Sequence, residues 1–166
     1  MKTSRSRFTI TLAFITLAFT AGLLITSQRS YGADVKPASV KKDDKCRVCG
    51  MFVAKYPAWV SQIVFSDGTY AFFDGPKDMF RYYFNLAKYN PSKKQSDIAA
   101  MFVTEYYSAK PMDAKAVLFV QGSDVTGPMG PELVPIASPA TAGEFMKDHK
   151  GKKALKFGEV TPEVLN

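Results

Sequence analysis

Two cysteines and one histidine are all that this 166-residue chain offers among the side chains that most often hold transition metals or pair as nucleophile and base. That scarcity excludes several chemistries. A closed structural zinc site wants four donors, typically in cysteine or histidine pairs, and there is no third cysteine to supply a second pair. Nucleophilic catalysis of the Ser-His-Asp or Cys-His kind needs a base beside the nucleophile. The single histidine, His149, is remote from both cysteines, at the end of the last helical pattern, and reads as a surface residue facing its own helix C-terminus. Phosphate-binding glycine loops are missing too, because Gly127-Pro128-Met129-Gly130 has neither the lysine nor the strand-to-helix setting. The chain reads as a binder that passes something on, not as an enzyme.

Charge of one sign is concentrated at the N-terminus. Lys2, Arg5 and Arg7 precede Phe8 to Ile25, 18 residues without a charge, and Ser30-Tyr31-Gly32-Ala33 then offers small residues to a signal peptidase. A cleaved export signal over residues 1–33 is expected. An uncleaved membrane anchor is the alternative, since the apolar run is nearly long enough to span a bilayer. No cysteine follows the apolar run closely, so a lipoprotein anchor is not expected. Residues 1–33 hold four basic and no acidic residues, so their removal lowers the formal charge from +7 to +3. No arginine-rich patch remains of the kind nucleic acid requires. Export would place the two cysteines in an oxidising compartment where a disulfide can form.

The remaining residues suffice for one domain or for two small lobes sharing a core, and 13 Phe and 8 Tyr supply ample apolar surface. Residues 34–45 are polar and lysine-rich and read as a flexible lead-in. Trp59 to Phe65 reads as a strand, Ser66-Asp67-Gly68-Thr69 as a hairpin turn and Tyr70 to Phe73 as its return. Asp74 is placed to cap a helix with Pro76 in its first turn, and Met79, Phe80, Tyr83, Phe84 and Ala87 recur at helical spacing. Ala99 to Tyr107 reads as a third strand. Ala116 to Val120, Leu133 to Ala137, a helix begun by Ser138-Pro139 and ended by Gly151, and Ala154 to Phe157 then repeat that order. The expected fold is α+β, two tandem ββαβ units over residues 46–110 and 111–166. Gly122 to Pro131 between the strands of the second unit reads as irregular. Met129 is oddly placed there, since methionine ordinarily fills gaps in a core.

Both cysteines fall in Cys46-Arg47-Val48-Cys49-Gly50-Met51, which brings three soft sulfur atoms within six residues. Thiolates and thioethers select polarizable cations such as Cu(I). A thioredoxin-type reading needs the motif to open a helix whose N-terminus lowers a thiol pKa, and Tyr56-Pro57 stops any helix early. A plain disulfide would close too short a loop to constrain the unfolded chain much. Copper binding is favoured, and a thiol-disulfide redox protein using Cys46 and Cys49 stands as the alternative.

The Cys46 to Met51 motif, the Ser66-Asp67-Gly68 turn with Phe72-Phe73-Asp74, and Gly122-Ser123-Asp124 leading into Gly127-Pro128-Met129-Gly130 resemble the NosL family, the nitrous oxide reductase accessory copper chaperones. The resemblance spans essentially the whole chain after residue 33. It implies a periplasmic Cu(I) carrier with the topology of organomercury lyase, working with a membrane ABC transporter to supply nitrous oxide reductase or another exported cuproenzyme. It also implies the ligands: Cys49 and Met51 match the family's Cys-x-Met motif, Met129 the methionine of its glycine-rich loop, and Cys46 an extra cysteine seen in part of the family, hence auxiliary.

Overall fold

The structure, a computed structural model, describes residues 35–166, and the export signal expected over residues 1–33 lies outside them. Among the described residues, no helix is long and apolar enough to cross a membrane.

In the first half, β1 (Ser61–Phe65) turns through Asp67-Gly68 into β2 (Tyr70–Phe73). Gly68 takes a positive φ of 82°, and the Asp67 carboxylate accepts the Thr69 N–H at 3.1 Å, so the residues of the turn supply its geometry. The strand begins later than the alternation suggests, because Pro57–Trp59 forms a 3-10 helical turn. Trp59 packs instead against a second core. Helix α1 (Pro76–Phe84) starts with proline at its first position, but its N-cap is Gly75; the Asp74 side chain does not cap it. The helix stops at Asn85 and a short α2 (Leu86–Tyr89) follows. Met79, Phe80 and Tyr82 are buried and Tyr83 and Phe84 pack half-buried on the core, but past the break Leu86 turns inward while Ala87, expected inside, is exposed. Strand β3 (Ile98–Thr104) ends before Tyr107 because Glu105 closes a turn by accepting the Ser108 N–H at 2.7 Å. With β4 (Pro111–Asp113) it completes an antiparallel sheet of order β2-β1-β3-β4.

In the second half, β5 (Leu118–Gln121) leads into the Gly-Pro-rich loop. That loop is not irregular throughout: it forms a small hairpin of β6 (Thr126–Gly127) and β7 (Gly130–Pro131) turning on Pro128 and Met129. Strand β8 (Val134–Ile136), helix α3 (Pro139–Asp148) and β9 (Lys153–Lys156) follow, with sheet order β8-β5-β9. Ser138 caps α3 as its sequence suggests, its side chain accepting the Thr141 N–H at 3.2 Å. The halves are not plain copies of one unit: α2 and β4 extend the first, with β4 (Pro111–Asp113) joining the first sheet, and the β6–β7 hairpin interrupts the second, though β1 and β5 each lie between two neighbours in their sheets.

The halves share one core. Ile63, Phe73 and Phe80 of the first and Phe119, Leu133 and Leu155 of the second belong to a single buried cluster, and the Phe80 and Phe119 rings meet edge-on at 5.0 Å. Burying each such side chain contributes about 1.5–3 kcal/mol. A smaller cluster, Val120, Val134, Ile136, Ala142 and Phe145, lies under α3. The lysine-rich lead-in is less free than its composition suggests. The Ala38 N–H donates to Gln62 Oε1 at 2.7 Å, and Ala38 and Val40 pack on the main core.

Candidate metal centre

The Cys-x-x-Cys segment is a tight loop held by its own backbone. Lys45 and Phe52 pair in an antiparallel bridge, the Cys46 N–H donates to the Met51 carbonyl at 2.8 Å, and the Gly50 N–H donates to the Cys46 carbonyl at 3.0 Å. Gly50 closes the loop at a φ of 80°, where a side chain would be strained. The Arg47 N–H donates to the Phe72 carbonyl at 3.1 Å and fastens the loop to β2. Since β2 runs directly into α1, this anchor sets both cysteines against the start of that helix.

There each thiol meets a carboxylate. Cys46 Sγ donates to Asp78 Oδ2 and Cys49 Sγ to Asp74 Oδ1, both at 3.3 Å. One donor atom from each of Cys46, Cys49, Asp74 and Asp78 lies within 4.8 Å of all the others. Both cysteines are free thiols. Cys46 is buried and Cys49 half-buried. Burial, seconded by the Asp74 carboxylate, pushes the Cys46 thiol far above its ordinary pKa, and burial raises that of Cys49 as well. Both sulfurs therefore hold their protons as thiols until a cation displaces them. The second Asp74 oxygen, Oδ2, is buried without a hydrogen-bond partner, a costly arrangement that a cation would relieve. Asp78 is steadied from behind by Arg81, whose Nη1 donates to Oδ1 at 2.8 Å while its Nη2 donates to the Leu165 carbonyl at 2.9 Å.

The model of the NosL family matches residues 37–165 of this sequence. The chain belongs to the NosL family. Its fold is similar to the crystal structure of the copper chaperone NosL from Shewanella denitrificans, with a TM-score of 0.65 and 21% identity, over 77% of this chain and 97% of that one. At that identity the likeness speaks to fold. No curated protein matches.

In this NosL-family chain the sulfur residues singled out from sequence fall in different places. Cys46 and Cys49 come together in the cluster. Met51 is half-buried in the same loop, its backbone carbonyl holding Cys46. Met129 stands on the turn of the β6–β7 hairpin with 55% of its surface exposed. That hairpin is fastened to the first turn of α1: Lys77 Nζ donates to the Pro131 carbonyl at 3.2 Å, and buried Glu132 accepts the Lys77 N–H at 2.7 Å. Glu132 fills the space beside Gly75, where an added Cβ would come within 2.2 Å of its Oε2. Burial pushes the Glu132 carboxyl up to about 7.

Sequence reasoning passed over Asp74 and Asp78 as site residues, having spent Asp74 on a helix cap. Asp74 precedes the Gly75 N-cap and only Asp78 lies in the first turn of α1, so no regular spacing relates the two carboxylates and the sequence held no pattern that would have found them. Their presence also changes the argument about zinc. A count of cysteines and histidines leaves a zinc site short of donors, but two thiolates and two carboxylates make four. Donor number alone no longer separates the two metals, and softness must decide between them.

His149 is the C-cap residue of α3, but its ring is half-buried against Phe145, with centroids 4.6 Å apart, and does not lie free at the surface. Its ring nitrogen Nδ1 lies 3.3 Å from Asp124, outside the cysteine cluster.

Proposed function

We propose that this protein carries Cu(I), held by the Cys49 and Cys46 thiolates with thioether help from Met51 and Met129, and hands it to an exported cuproenzyme. Nitrous oxide reductase is the first recipient to test, with a membrane ABC transporter of the copper-assembly pathway as co-partner and the periplasm as the compartment. One observation carries the reading: two free thiols converge in a loop half open to solvent, in a chain of the NosL family. The copper chaperone it resembles in fold lends support. Cu(I) is the cargo here, and its binding expels the thiol protons, which leave to solvent or to the neighbouring carboxylates.

The redox alternative uses the same two sulfurs, and the raised thiol pKa values count against it. Thiol-disulfide exchange needs an attacking thiolate near ambient pH, whereas burial keeps these protons on.

The test is an anaerobic competition titration of the reduced protein lacking residues 1–33. Cu(I) is expected to bind at one equivalent and to displace Zn(II) added at equal concentration. Zinc winning that competition refutes the copper reading and makes the cysteine-aspartate cluster a zinc site.

A further inference from the structure

The rim of the thiol loop carries an unbalanced positive charge around one exposed ring. Phe52, immediately after Met51, keeps 39% of its surface in solvent, one of few large apolar side chains among the described residues to do so. Lys45 Nζ stands 5.0 Å and Lys55 Nζ 5.5 Å from the centre of its ring. Lys45 also lines, with Arg47, Asp43, Asp44, Tyr70 and Phe72, an open depression of about 200 Å³. Lys45, Arg47 and Lys55 are all exposed, and none takes part in an ion pair among the described residues. The acidic neighbours are Asp43 and Asp44, the latter turned back on the backbone N–H of Lys41 at 2.7 Å. Residues 41–55 hold five basic and two acidic residues, a surplus of three. That equals the whole surplus of the chain beyond residue 33, so the rest of the sequence is balanced.

A fold with balanced charge elsewhere gains nothing in stability from gathering cations beside its only thiols, where they repel one another. Cationic rims of this sort speed the encounter with an anionic partner by about 10 to 1,000-fold at low salt, and an exposed aromatic flanked by cations is a common anchor in interfaces. We propose that Lys45, Arg47, Phe52 and Lys55 form the docking surface for the protein that receives the metal, and that this acceptor presents carboxylates around an apolar contact. The inference rests on the copper-carrier reading. It adds the chemistry of the partner: Phe52 seats against the apolar contact while the three cations hold the carboxylates, bringing the acceptor's ligands to the half-buried Cys49.

The test uses two synthetic acceptor peptides, each with one Cys-x-x-Cys copper motif, flanked by four glutamates in one and four lysines in the other. Copper transfer from the loaded protein is followed by stopped flow at low and high salt. The glutamate peptide is expected to receive copper about tenfold faster at low salt, the advantage vanishing at about 0.5 M salt, where screening acts within a few ångströms. The K45E/R47E/K55E variant should reverse the preference, with unchanged Cu(I) affinity in a chelator competition. A second arm replaces the peptide cysteines by serine and measures binding to the metal-free protein by fluorescence anisotropy; the glutamate peptide should bind, and Phe52→Ala should weaken it several-fold. Equal rates for the two peptides, or a preference that survives charge reversal, overturn the docking surface. Loss of Cu(I) binding by the unaltered protein overturns the copper reading instead, and leaves the anisotropy arm to decide the surface by itself.

Discussion

Residue by residue, the site is an exchange between protons and a cation. Asp74 and Asp78 each accept a thiol proton, so a bound metal must take the place of both bonds, and which sulfur matters more is open to measurement. Cys49, half-buried, is the sulfur an incoming acceptor can reach, whereas Cys46 is buried behind it with Asp78. Cys49→Ser is therefore expected to abolish tight Cu(I) binding and Cys46→Ser to weaken it only; equally severe losses in a chelator competition would make the site a symmetric dithiolate. Glu132 gives a second prediction, in pH. Its carboxyl is raised from 4.5 to about 7 in the fold, so the native state favours the protonated form. The stabilisation is complete below the unfolded value and is lost as pH rises through about 7, a swing on the order of 3 kcal/mol. Urea denaturation of wild type and Glu132→Gln at pH 5 and pH 8 should show the variant gaining stability relative to wild type at the higher pH. A difference that does not move with pH contradicts the assignment. At this scale the cysteines were legible in the sequence and the aspartates were not. A Cys-x-x-Cys announces itself in one line of text, but Asp74 lies 25 residues from the thiol it serves, and only β1 and β2 folding back bring them together.

Among the elements, those whose local chemistry agrees with the fold were readable in advance: the Asp67-Gly68 turn, proline at the head of α1, and the Ser138-Pro139 start of α3. The misreadings share a physical cause. Asp74 has a capping residue's chemistry but is claimed by Cys49, and Ala87 fits a helical stripe that the break at Asn85 rotates out of register. The β6–β7 hairpin has only two paired positions, too short for any pattern to show. It carries Met129, and its roots at Lys77 and Glu132 tie it to the helix turn that holds Asp78. Met129→Ala should weaken Cu(I) binding several-fold while circular dichroism stays unchanged, because truncating a side chain 55% exposed costs little stability. Met129→Cys should bind more tightly and release more slowly. If the alanine variant keeps both affinity and transfer rate, the thioether is a loop residue and the sulfur set is confined to Cys46, Cys49 and Met51.

Across the whole molecule, a four-stranded and a three-stranded sheet share one apolar interior, with Phe80 set against Phe119. Neither half can expose its face of that cluster cheaply, so unfolding is expected to be a single transition. The chain has one tryptophan, Trp59, which belongs to the first half but packs on the cluster under α3. Its fluorescence and the far-ultraviolet dichroism should fall together in urea; separated midpoints would mean that the halves unfold independently.

Arg81 bridges Asp78 to the carbonyl of Leu165, a residue 84 positions beyond the arginine itself. A chain that emerges N-terminus first shows its thiols long before that clamp can close. Until residues 162–165 have settled against α1, the guanidinium that holds Asp78 from one turn along the same helix lacks its second anchor. The firmness of the cradle thus depends on a contact that closes only when the far end of the chain is in place, so loosening residues 162–165 would loosen a donor in the first turn of α1.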